Sequence, residues 1–88
     1  MKTYYSSNGM PYQIRRAGSY GVVLTWPVYE VLFKRGDGFV LGGDVWKDGQ
    51  SWAWTPRPGR KHESDCDRRV DAVDRLAEHV AEKWEDVR

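Results

Sequence analysis

The residues best equipped for chemistry are Cys66, with His62 four positions before it, and a run of carboxylates at Asp71, Asp74, Glu78 and Glu82. A thiol at a helix N-terminus can ionise readily. A Cys–His nucleophile, however, needs side-chain contact and an oxyanion site, and a spacing of four residues supplies neither. Cys66 also continues an apolar helical stripe, so a packing role is the expectation. His62, Glu63, Asp65, Cys66 and His79 contain no ligand pairing of the kind a four-coordinate zinc uses, and His79 falls on the exposed side of the expected helix. The carboxylates alternate with Arg75 and Lys83 on a solvated face, where nothing would raise a carboxyl pKa for acid catalysis. Gly36-Asp37-Gly38 and Gly42-Gly43 do not open a helix, as a phosphate loop would. The expectation is a non-enzymatic chain with no catalytic residue, cofactor or metal.

The elements that hold these residues follow from punctuation and period. All four prolines and all nine glycines precede residue 60, and residues 64–88 contain neither. That shift marks a strand meander followed by one helix. Tyr12–Arg16 reads as a strand, Ala17-Gly18-Ser19 as a turn, and Tyr20–Thr25 as a second strand broken at Trp26-Pro27. Tyr29–Lys34 alternates cleanly, with Tyr29, Val31 and Phe33 on one face and Glu30, Leu32 and Lys34 on the other. Gly36-Asp37-Gly38 turns the chain into Phe39–Trp46, which Gly42-Gly43 interrupts with a bulge. Asp48-Gly49 turns it again into Ser51–Thr55, while a strand at Thr3-Tyr4-Tyr5 is left open. The helix is expected over 64–87, capped by Ser64 or Asp65, with Cys66, Val70, Val73, Ala77, Val80, Trp84 and Val87 as its stripe, widened by Leu76. The fold expected is α+β: an antiparallel β-meander of three to six short strands (1–59), packed on one face by a single C-terminal α-helix, in one domain.

The stretch Tyr29–Leu76 resembles short accessory proteins of actinobacteria and their phages. Phe39-Val40 follows the Gly-Asp-Gly turn, then come Asp48-Gly49, Trp52-Ala53-Trp54, a basic loop and the helix opening Arg68-Arg69-Val70-Asp71-Ala72-Val73. The order of elements is also similar to DNA-binding modules built of a three-stranded sheet and a helix, such as integrase arm-binding domains and plant AP2 domains. That resemblance implies groove reading by the exposed face of the sheet. A double-stranded-RNA-binding domain also ends in three strands and a helix but begins with another helix, whereas residues 1–28 here read as extended.

Composition bounds the rest. Eighty-eight residues suit one domain, and five Trp with five Tyr supply more buried area than a disordered chain would carry. No apolar run approaches the ~20 residues of a membrane span, and Met1–Gly9 has no apolar signal-peptide core. One cysteine makes no internal disulfide, so a cytoplasmic setting is expected.

Net charge is only +1, yet the first 64 residues carry nine basic and five acidic groups and the remainder five and eight. Two readings follow. In the first, the chain is a protein-interaction or self-associating module, phage-derived and acting on a host protein or a second copy, anchored by Tyr4, Tyr5, Tyr20 and Trp26. In the second, DNA or RNA lies on a basic sheet face and the 57–61 loop, with phosphates met by Arg15, Arg16, Lys34, Lys47, Arg57, Arg60 and Lys61. What separates them is Trp46. Opposite Trp52 and Trp54 across the sheet, it would give the basic face a stacking ring; on their side, it would not. Alternation cannot place it, because the Gly42-Gly43 bulge resets the parity of the strand.

Overall fold

The computed structural model describes residues 2–20, 26–57 and 63–85. Six strands form one antiparallel sheet in chain order: β1 (Tyr4–Tyr5), β2 (Pro11–Tyr20), β3 (Trp26–Arg35), β4 (Gly38–Asp48), β5 (Ser51–Pro56) and β6 (Glu63–Cys66). The sheet curls, and helix α1 (Arg69–Glu85) lies across one face, chiefly against β4 and β5. This is the α+β meander with a C-terminal helix that the punctuation predicts. The described residues contain no helix long and apolar enough to cross a membrane.

Two tight turns do what their sequences require. Gly36 and Gly49 each take a positive φ, 65° and 67°, at the first position of a two-residue loop. Only glycine enters that region without steric cost. The open question at the N-terminus resolves as a strand: Tyr4 pairs with Tyr12 and Tyr5 with Pro11. The loop between them closes through Ser6 N–H to the Met10 carbonyl and Gly9 N–H to the Ser6 carbonyl.

Three expectations are corrected. Ala17-Gly18-Ser19 is not a turn, since β2 runs through it to Tyr20 with a register shift between Arg16 and Gly18. A bulge absorbs one extra residue without ending a strand. Trp26-Pro27 is accordingly the start of β3, where Pro27 faces Ser19 and the ladder to β4 has yet to begin at Val28. The rest of the strand expected over Tyr20–Thr25, residues 21–25, lies outside the described residues.

The third correction moves the helix start. Ser64 and Asp65 do not open the helix, because Glu63–Cys66 pairs with β5 as a sixth strand. The helix begins where the Arg68 carbonyl accepts from Ala72 N–H at 3.2 Å. The Arg68 guanidinium holds both carboxylate oxygens of Asp71 at 3.2 and 3.1 Å. This pair is an ion pair of the first turn. It lowers the Asp71 pKa and raises that of Arg68.

The later start also re-aims the apolar stripe. Ala72, Val73, Leu76, Ala77 and Val80 are buried, Trp84 is half-buried, and Val70 is 42% exposed. Val87 lies outside the described residues. The stripe covers Val31, Phe33, Val45 and Trp54 on the sheet, with Tyr12 and Cys66 closing the cluster. Cys66 is 5% exposed, so its packing role stands although it sits on a strand. His79 is half-buried, its ring 5.7 Å from that of Trp54, and does not stand on an open surface as expected.

Candidate interaction face

The cross-strand register sorts every described sheet residue onto one of two faces. Tyr12, Phe33 and Val40 align, as do Ile14, Val31 and Gly43, and then Tyr29, Val45 and Trp54, all on the face that α1 covers. The bulge that Gly42-Gly43 predicts is present: Leu32 faces Leu41 but Val31 faces Gly43, leaving Gly42 as the extra residue. Parity therefore reverses along β4. Trp46 pairs with Val28 and Ala53 on the outer face, while Trp52 and Trp54 point toward the helix side.

No described element packs on that outer face. Along its centre runs a chain of alternating charge: Arg15 Nε donates to Glu30 Oε1 at 2.8 Å, Arg57 Nη1 lies 3.8 Å from Glu30 Oε2, and Arg57 Nε donates to Asp44 Oδ2 at 2.7 Å. The register explains the convergence, since Arg15, Glu30, Asp44 and Thr55 are successive cross-strand partners. Arg57 N–H bonds the Gly42 carbonyl at 2.9 Å, which brings the guanidinium back over Asp44. On one side of this band stand Trp26, Val28 and Trp46; on the other stand Leu32, Phe39 and Leu41, all half-buried. A groove of about 390 Å³ runs between Trp46, Val28, the β2 bulge and the Asp44–Arg57 pair.

The described residues among those expected to meet phosphate do not form one cationic surface. Arg15 and Arg57 are tied to carboxylates. Lys34 is exposed on the outer face beyond Glu30 and Leu32. Lys47 pairs with Trp52 on the helix side, its ammonium 5.8 Å from that ring. Arg16 pairs with Tyr29 on the same side and its Nε reaches the Gly18 carbonyl at 3.5 Å. Arg60 and Lys61 lie outside the described residues. The outer face carries Arg15, Lys34 and Arg57 against Glu30, Asp44 and Asp48, so its described charges balance. Of the other described basic residues in the first 64, Arg16, Arg35 and Lys47 lie on the helix side.

The expected protein anchors separate too. Tyr5 is 72% exposed and Tyr4 40%, the latter stacked on Tyr12 with ring centroids 5.6 Å apart. Tyr5 faces Pro11 and Trp26 faces Tyr20, which places them at opposite ends of β2, on the order of 30 Å apart at ~3.4 Å per residue. The side chain of Tyr20 lies outside the described residues. Val28, Leu32, Phe39 and Leu41 are surface residues that sequence reasoning did not name as a site, although alternation through Glu30, Leu32 and Lys34 put Leu32 on this face. Trp46, whose face the sequence left open, joins them because the bulge at Gly42 shifts the parity of β4.

At the other side of the molecule, Asp65, Asp67, Asp71, Asp74, Glu78 and Arg75 line an acidic groove. Two of its carboxylates have structural duties: Asp71 holds Arg68, and Asp74 accepts from Ser7 N–H at 2.8 Å. Among the described residues no His, Cys, Asp and Glu cluster is arranged to hold a metal ion. Comparison of the chain with protein-family models, curated proteins and solved structures finds no match.

Proposed function

We propose that the protein is a small non-enzymatic binding module whose outer sheet face docks on protein, either a host protein or a second copy of itself. The observation that supports this reading is the chemistry of that face. Its charges neutralise one another in the Arg15–Glu30–Arg57–Asp44 chain, while Trp26, Val28, Trp46, Leu32, Phe39 and Leu41 stay half-buried with no described element above them. Large apolar and aromatic groups around a satisfied polar centre suit a protein surface. A polyanion would gain little from guanidinium groups already held by carboxylates.

A second reading keeps one observation of its own. Trp46 lies opposite Trp52 and Trp54 across the sheet, which puts on the outer face the kind of aromatic ring that base stacking uses. The two readings differ in salt response. Sedimentation of the purified chain over a concentration series, and capture from host lysate, should show association that survives high salt and is lost in Leu41→Lys. Saturable quenching by oligonucleotides, with affinity falling log-linearly with salt, would replace the protein reading with the nucleic-acid one. Absence of both self-association and capture would also remove the protein reading.

A further inference from the structure

The C-terminal half of α1, the ends of β3 and β5 and the bulge of β4 line a cavity of about 220 Å³. Its floor is apolar, made by Pro56, Val80 and the ring of Trp84. Gly42 shapes that floor, since a Cβ at this position would run into the Phe33 ring and press on Val80. Arg35, His79 and Lys83 line the rest, and among the described residues no carboxylate does. Arg57 contributes its stem, because its guanidinium is engaged by Asp44. The Arg35 guanidinium lies 5.0 Å from the Trp84 ring centroid, and this stack orients its donor fork beside the cavity.

The volume corresponds to roughly seven waters at ~30 Å³ each, about the bulk of one amino-acid side chain with its carboxylate. We propose that this cavity binds a carboxylate carried on a single aromatic or branched apolar group, supplied by a free organic acid or by the C-terminal residue of a peptide. The apolar body occupies the Pro56–Val80–Trp84 floor and leaves the carboxylate at the Arg35 fork, where two parallel N–H bonds can form. An inorganic anion lacks the body, and a neutral ring lacks the charge; the site recognises the combination. It shares the Arg57 side chain with the outer sheet face but stands whether or not that face docks on protein.

The test titrates phenylacetate, phenylacetamide, and acetyl-Gly-Phe with free and amidated C-terminus into isotope-labelled full chain. The Trp84 indole N–H and the Val80 amide are the reporters. Phenylacetate should shift both saturably, with phenylacetamide at least about tenfold weaker. Arg35→Gln should weaken phenylacetate by about tenfold or more, and Arg35→Lys should recover part of the loss. Lys83→Gln, on the exposed side of α1, serves as the second variant if Arg35→Gln does not fold. A free-ended peptide that binds more tightly than phenylacetate assigns the site to chain termini, and the reverse order to free acids. Equal binding of phenylacetamide, shifts confined to Trp46, or unchanged affinity in both charge variants would overturn the proposal.

Discussion

Arg57 donates to both carboxylate oxygens of Asp44, through Nε at 2.7 Å and Nη2 at 3.1 Å, on an open sheet face where Asp44 is nonetheless only 7% exposed. The two partners are not equivalent. The Arg57 side chain is 52% exposed and can be rehydrated; that of Asp44 is 10% exposed and cannot. Arg57→Ala should therefore cost more than Asp44→Ala: about 1–3 kcal/mol against ~1 kcal/mol or less. Urea denaturation of both variants checks the order. Equal costs would mean that Asp44 reaches water without its partner.

The paired glycines of β4 should tolerate no side chain. At Gly42 a Cβ meets the Phe33 ring, and at Gly43 it meets the Thr55 carbonyl and Leu76. A ring can shift and a ladder carbonyl cannot, so Gly43→Ala should be the worse of the two. Overpacking of this kind costs about 1–3 kcal/mol, occasionally more. Thermal melts of the two variants, with Gly38→Ala as the open-space control, test the ranking.

Tyr12 should resist alkali in the folded chain. Burial, and then the carboxylate of Asp74, raise its pKa above the usual 10.0, with Arg69 opposing. The folded state thus favours the neutral phenol. Its contribution is intact below pH 10 and is lost as pH rises from there through the folded-state pKa, because the unfolded chain ionises first. Stability measured across that window should fall, and Tyr12→Phe should flatten this part of the decline.

Cys66 should be unreactive in the folded chain. At 5% exposure, with its thiol facing the core cluster, it should react with a thiol reagent at the rate of global or local opening. Adding denaturant should release the full reactivity. Rapid reaction under native conditions would mean that β6 detaches easily from β5.

Helix truncations should separate the stripe the structure uses from the one its spacing suggests. Leu76, fully buried, should cost about 2–5 kcal/mol when changed to Ala. Val70, at 42% exposure, should cost within ~0.5 kcal/mol for the same change.

Much of the architecture is local and therefore legible in the sequence. Gly36 and Gly49 fix two hairpins because only glycine takes their φ cheaply, and the Tyr29–Lys34 alternation assigns a core face and an outer face to β3. The glycine- and proline-free run after residue 64 announces one helix. Long-range pairing decided the rest. Whether Glu63–Cys66 begins the helix or ends the sheet depends on β5 being alongside, since the same backbone groups can be satisfied either way. Whether Trp46 faces the helix depends on a single extra residue at Gly42, which local alternation cannot count. The partnership of Arg15 and Arg57 with Glu30 and Asp44 depends on four strands in register, so their charges read as a basic patch in the chain and as a neutral band in the fold. Composition determines how much charge and apolar surface the protein has; only the tertiary structure decides which groups cancel and which remain exposed.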